Sequence, residues 1–224
     1  MSATTARAAA GALRVGILGG TFDPIHRGHL RLAAAAERRC RLDWVYFVPA
    51  ARPGHKAAPR ASYADRYAMV ALALAGRRSW CPLAIPAPPG RLTYSLDQVG
   101  WIAQRHSRAR LFFILGADAM VEIRSWWRYR RLLAACDFIV APRAGLGLEA
   151  VGAALAGAGA NLRTATRPET FRLGRRQVFW LTHFREPAGS RQLRPRLGRA
   201  QPGAAASLLP ARVAEYLRRG GFYR

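Results

Sequence analysis

Short apolar runs alternate with stretches of helical composition along most of this chain, and that alternation constrains the fold more than any other feature. LRVGIL (Leu13–Leu18), WVYFVPA (Trp44–Ala50), a short run near Trp80–Ile85, RLFFILGAD, CDFIVAPR and QVFWLTH (Gln177–His183) read as buried strands. Between them, Gly28–Cys40 and Ser62–Gly76 read as helices, followed by a helix starting near Ser95, a short helix and SWWRYRRLLAA. Two further helical stretches close the chain, near Arg191–Leu197 and Pro210–Arg219, and the pattern weakens from Ala144 to about Arg176. Strand–helix alternation predicts an α/β fold, a doubly wound parallel sheet, here with a small C-terminal helical segment. The hydrophobic share of 51 % is enough for a sizeable core. The expected organisation is a flexible tail over residues 1–12 and a single domain over 13–224.

In doubly wound folds ligands sit at the carboxyl ends of strands, where strand order reverses. Two strand ends carry unusual residues. One is Gly19-Gly20-Thr21, followed by His26 and His29; the other is Gly116-Ala117-Asp118. If those strands are neighbours, both sets face one crevice. Glycines let a ligand approach backbone N–H groups. A helix starting near Arg27–Gly28 aims its positive end at the same place, which favours phosphate. His26 and His29 stand i, i+3 at that helix start and can face one side. Two imidazoles donating to one anion suit phosphoryl or nucleotidyl transfer. A metal pair and two structural histidines are the competing readings. No G-x-G-x-x-G fingerprint, P-loop or nucleophile triad is present.

The net charge of +24 raises nucleic-acid binding as a reading. Lys56, however, is the one lysine among 36 Lys and Arg residues, and the arginines are scattered. That skew reads as a compositional bias, giving a solvated surface that also draws in anionic substrates. Nucleic acid and membrane are therefore not expected partners. No apolar run approaches the roughly 20 residues of a membrane helix. The start, MSATTARAAAGA, lacks the apolar stretch of a secretion signal. Three widely spaced cysteines, Cys40, Cys81 and Cys136, indicate neither a disulfide framework nor a zinc site, so the cytoplasm is the expected compartment.

Taken together, GGTFDPIHRGH resembles the signature of nucleotidyltransferases that carry an H-x-G-H motif, here His26-Arg27-Gly28-His29. Further segments narrow the resemblance to the bacterial-type nicotinate-nucleotide adenylyltransferase family. VPAARPGHK is similar to its Pro-rich loop ending in His55-Lys56, and DRYAMVALALAG to its next helix, with Arg66 and Met69. LTYSLDQV is similar to its Ser-Tyr-Thr helix start, and FFILGADAMVEIRSWWRYRRLL to its Gly-x-Asp segment with a tryptophan, Trp126, eight residues on. LLPARVAEYLRRGGFYR resembles its closing helix and Tyr-Arg end. The resemblance implies a Rossmann-like nucleotidyltransferase fold and the reaction of ATP and nicotinate mononucleotide, with Mg2+, to deamido-NAD and pyrophosphate. It implies that His26 and His29 are catalytic, and that Gly19, Gly20, Thr21, Lys56, Gly116, Asp118, Ser190 and Arg194 bind ATP. Tyr94, Ser95 and Trp126 would bind the mononucleotide, with Trp126 stacked on the pyridine ring; plain core is the other reading of Trp126. No residue is assigned to hold a metal, and a homo-oligomer stays open.

Two departures stand out. The family's I-S-S-T-x-I-R closing motif is here Ala188-Gly189-Ser190-Arg191-Gln192-Leu193-Arg194, which removes a hydroxyl donor at Gly189 and places a charge at Arg191. A lost donor to a charged ligand costs about 1.5–3 kcal/mol. The segment CPLAIPAPPGRL lacks the acidic residues usual in the family. The alternatives are a sister adenylyltransferase for nicotinamide mononucleotide or phosphopantetheine, and a basic nucleic-acid-binding protein on an inactive scaffold.

Overall fold

The computed structural model describes residues 12–51, 58–86, 92–143, 145–159, 162–164, 169–185, 193–195, 197 and 207–223. Their strands are β1 (Arg14–Gly20), β2 (Trp44–Pro49), β3 (Trp80–Pro82), β4 (Arg110–Gly116), β5 (Asp137–Ala141), β6 (Leu162–Thr164), β7 (Thr170–Leu173) and β8 (Arg176–Trp180). The helices are α1 (Arg27–Cys40), α2 (Tyr63–Leu74), α3 (Ser95–Arg105), α4 (Ala117–Val121), α5 (Tyr129–Ala135), α6 (Leu148–Gly157) and α7 (Ala211–Arg219), with a 3-10 turn over Ile123–Ser125.

The strands form one sheet in the order β3-β2-β1-β4-β5-β8-β7-β6. The first six in that order pair in parallel. Strands β6 and β7 extend the sheet antiparallel, within the stretch whose sequence pattern is weak. The doubly wound expectation therefore holds with an antiparallel edge added.

Residue alternation explains the two layers. On β4, Phe112 and Ile114 face one core, which also holds Ala33 and Ala36 of α1, Val70 of α2 and Val213 of α7. Leu111, Phe113 and Leu115 face the other, shared with Ile102 of α3, Met120 of α4, Leu132 of α5 and Val151 of α6. A strand with a period of two must supply apolar residues to both faces when helices cover both. Leu111 to Leu115 do so without interruption.

Strand order reverses between β1 and β4. The chain leaves β1 through α1 toward β2 and β3, and returns through α3 to β4 on the other side of β1. The two strands are direct neighbours, with Gly16 opposite Phe112 and Ile17 opposite Phe113. The conditional expectation of one crevice is thus met. Of the closing helices, α7 is present; of the stretch near Arg191–Leu197, residues 193–195 and 197 are described and are helical.

Candidate functional site

The turn after β1 is built around one carboxylate. Asp23 is 3 % exposed and accepts from the backbone N–H groups of Arg60 (3.0 Å) and Ala61 (3.1 Å) and from the Tyr223 hydroxyl (2.6 Å). Arg194 donates to the Asp23 carbonyl at 2.9 Å and lies 3.5 Å from its carboxylate. Arg66, also buried, donates to the Thr21 carbonyl at 2.7 Å. A buried charge is tolerated only when paired and hydrogen-bonded, and these groups satisfy one another. They fix the turn that delivers His26.

His26 caps α1. Its Nδ1 accepts from the Gly28 N–H at 3.1 Å, while its own N–H donates to Nδ1 of His29 at 3.2 Å. Each Nδ1 is thereby committed as an acceptor, so each ring carries its proton on Nε2. The rings lie 3.8 Å apart, centroid to centroid, and Phe22 meets His29 edge-on. Burial, followed by Arg143 and Arg31, pulls the His26 pKa from 6.5 down to about 4. It is a neutral donor at pH 7, and its Nε2 is buried without a partner.

The first N–H groups of α1 are largely engaged. Arg27 N–H donates to the Leu208 carbonyl at 2.8 Å, and Gly28 N–H to His26. What the helix start turns to the cavity is imidazole rather than the bare backbone that its sequence suggests. The glycines differ from expectation in the same sense. A Cβ on Gly19 would meet the Gln98 side-chain oxygen at 2.6 Å, and one on Gly20 would meet the Phe22 ring at 3.1 Å. The room they leave is taken up by side chains of this chain.

The second strand end joins the first. A cavity is lined by His26, His29, Leu32, Gly116, Arg143 and Phe184, among others. Asp118, in the first turn of α4, is 57 % exposed and pairs with Arg143 at 3.7 Å. Its side chain folds back over Gly116, so a Cβ there would require the exposed carboxylate to turn away. Sequence reasoning missed Arg143. Its position just past the end of β5, in the same row of strand ends, was the available signal, but one arginine among so many does not stand out.

Tyr94 precedes α3, and its N–H donates to Asp97 at 3.1 Å. Tyr94 stacks on Trp127, 4.8 Å between centroids and 21° between planes. Trp126 is half-buried and sits edge-on to Phe113 at 6.0 Å. Ser95 opens the helix. Thr21, Tyr94, Ser95 and Trp126 thus lie on segments that flank the β1 and β4 ends. Lys56, with His55, and Ser190, with Gly189 and Arg191, lie outside the described residues.

Among the described residues no three His, Cys, Asp or Glu side chains form a group able to hold a metal. The three cysteines are free, and burial pushes up the Cys40, Cys81 and Cys136 thiols. No helix among the described residues is long and apolar enough to cross a membrane.

This pairing of a parallel-sheet crevice with an H-x-G-H helix start is that of a cytidylyltransferase-like protein, the family that residues 17–194 match. A probable nicotinate-nucleotide adenylyltransferase of Gloeobacter violaceus is 36 % identical over 212 residues, covering 94 % of this chain and 96 % of that one. One of Geobacter sulfurreducens is 33 % identical over 217 residues, covering 94 % and 98 %. The chain belongs to the nicotinate-nucleotide adenylyltransferase family. The solved structure of Plasmodium falciparum nicotinic acid mononucleotide adenylyltransferase complexed with NaAD has a TM-score of 0.71 at 14 % identity, covering 94 % of this chain and 97 % of that one. That likeness speaks to the fold.

Proposed function

We propose that this protein transfers the adenylyl group of ATP to nicotinate mononucleotide, giving deamido-NAD and pyrophosphate, a step of NAD biosynthesis. The observation that carries the reading is the pair of imidazoles at the β1–β4 crevice, both with Nε2–H as donor and His26 held neutral. A mononucleotide phosphate oxygen attacks the α-phosphorus. The bond to the β-phosphate oxygen breaks, and pyrophosphate leaves with the electron pair. Charge grows on the oxygens in flight, where preorganised donors act most strongly. His26 and His29 supply those donors, and Arg143 supplies a fixed cation beside them.

Asp118, exposed at the rim, is assigned the ATP ribose hydroxyls, which a carboxylate accepts from. Gly19, Gly20 and Thr21, through their backbone, and Gly116, at the cavity wall, are assigned to the nucleotide path, and Lys56, Ser190 and Arg194 to its phosphates. Arg194 already serves Asp23, so its part is at least partly to hold the turn. Trp126 is assigned to the pyridine ring, with Tyr94 and Ser95 beside it. Mg2+ accompanying ATP supplies further charge neutralisation on the phosphates. The names of the relatives and the complex named for the structural neighbour support the proposed reaction. The cytoplasm is the proposed compartment, in keeping with three free thiols.

The test is pyrophosphate release from ATP and Mg2+ with nicotinate mononucleotide, nicotinamide mononucleotide or phosphopantetheine offered in parallel. The expected result is turnover with preference for the first. Silence with all three, in folded protein, overturns the reading.

A further inference from the structure

Three buried side-chain atoms among the described residues lack a hydrogen-bond partner: Nε2 of His26, Oγ1 of Thr93 and Oε1 of Gln98. The first belongs to the phosphate site. The other two lie at the start of α3, on either side of Tyr94 and Ser95. An unpaired buried acceptor costs about 1–3 kcal/mol, so each calls for a physical account.

Gln98 is 3 % exposed. Its Oε1 fills the space that a Cβ on Gly19 would take, and the Phe113 ring tip is also at that space, 3.4 Å from the same Cβ position. Phe113 in turn carries Trp126 on its edge. Gln98, Phe113 and Trp126 are therefore linked side by side at the end of β1, at the level where the pyridine ring is assigned.

Both orphans are groups that can work in either direction. A hydroxyl donates or accepts, and turning a glutamine amide about its last bond exchanges Oε1 for Nε2 in place. A site facing a carboxylate needs donors; a site facing a carboxamide needs an acceptor as well. Gln98 can meet both. It stands beside an aromatic cluster, and its oxygen has no partner among the described residues.

Resting on the proposed function, we infer that Gln98 is a mononucleotide-binding residue, whose side-chain amide, aided by the Thr93 hydroxyl, hydrogen-bonds the acid or amide group on the pyridine ring. The amide donates through Nε2 to the carboxylate of nicotinate mononucleotide and accepts through Oε1 from the carboxamide of nicotinamide mononucleotide.

The experiment compares kcat/KM for the two mononucleotides, at saturating ATP, in the wild type and in Gln98→Glu. Burial raises the pKa of a carboxyl at this position, so the comparison is made across alkaline pH, where the ionised glutamate repels the carboxylate and still accepts from the carboxamide. Selectivity is expected to move at least ~10-fold toward nicotinamide mononucleotide. An unchanged ratio, or an equal loss on both substrates, overturns the inference and leaves Gln98 as a packing residue served by water. Should Gln98→Glu not fold, the near-isosteric Gln98→Met decides. Its expected signature is a KM raised ~10-fold for both mononucleotides with the KM for ATP within about twofold; unchanged mononucleotide kinetics overturn the inference. A wild type silent with either mononucleotide strikes the proposed function itself, whereas an active wild type with unaltered selectivity in the variant strikes only Gln98.

Discussion

The Tyr223 hydroxyl, one residue from the end of the chain, donates at 2.6 Å to the carboxylate of Asp23, 200 positions earlier and three residues before His26. The bond closes the C-terminal segment onto the turn that sets the histidines. Burial, then Asp23, pushes the phenol pKa up, so it stays a donor throughout the neutral range. Tyr223→Phe leaves the ring in place and removes the donor. Its expected cost is about 1–3 kcal/mol, a fall in Tm of roughly 2–4 °C per kcal/mol for a chain of this size. Thermal unfolding checks it, and an unchanged Tm would mean that the bond contributes nothing net.

His26→Ala or His29→Ala is expected to lower turnover at least ~100-fold, by analogy with lost oxyanion donors. Each substitution also breaks half of the reciprocal contact that starts α1, worth about 1 kcal/mol of capping. Stability and turnover should therefore be measured together. Full activity in either folded variant would count against the catalytic assignment.

The His26 pKa gives a pH prediction with a definite sign. The folded imidazole titrates at about 4, against 6.5 when free. Between those values the unfolded chain binds a proton that the folded one does not, so this residue lowers stability as pH falls from about 6.5 to 4, and the effect levels off below. NMR titration should place the His26 midpoint near 4 in the free protein. Bound ATP, which brings negative charge to Nε2, should raise it. A midpoint near 6.5 without ligand would show that the ring is not buried as described.

Much of this was legible before the fold was known, because the informative signals were local. Apolar runs of the length of β1, β2, β4 and β5, each bounded by a turn or helix signal, identify buried strands, and the i, i+3 histidines at a helix start single out a candidate site. The rest depended on contacts distant in sequence. Strands β6 and β7, three and four residues long, are too short to show a period. The run expected near Trp80–Ile85 ends as a strand at Pro82, though Leu83 still donates to Phe47 at 2.9 Å. Gly16 looks like the two glycines after it, yet it makes room for Leu42 and Ile114 in the core. Engagement of Arg27 N–H by Leu208 joins residues 181 positions apart, which no local pattern reveals.

Arg143 is the cation that sequence reading passed over, and its surroundings predict a role with ATP. It lines the histidine cavity, pairs with Asp118 at 3.7 Å and depresses the His26 pKa. Arg143→Ala is expected to raise the KM for ATP ~10-fold or more, the scale of a lost charged hydrogen bond. It should also lift the His26 midpoint, since a positive neighbour has gone. No change in either quantity would place Arg143 outside the working site.

The two adjacent tryptophans separate by their contacts. Trp127 is stacked on Tyr94 and has the Arg128 guanidinium 4.5 Å from its ring centre, so its faces are engaged within the protein. Trp126 touches Phe113 only through an edge contact, is half-buried, and is the one assigned to stack on a pyridine ring. Stacking of that kind contributes about 0.5–1.5 kcal/mol beyond area burial. Trp126→Ala should raise the KM for the mononucleotide several-fold and leave that for ATP nearly unchanged. Trp127→Ala, by freeing Tyr94, should lower the Tm more than Trp126→Ala does. An effect of Trp126→Ala confined to ATP would refute the stacking role and move the pyridine ring to another wall of the crevice.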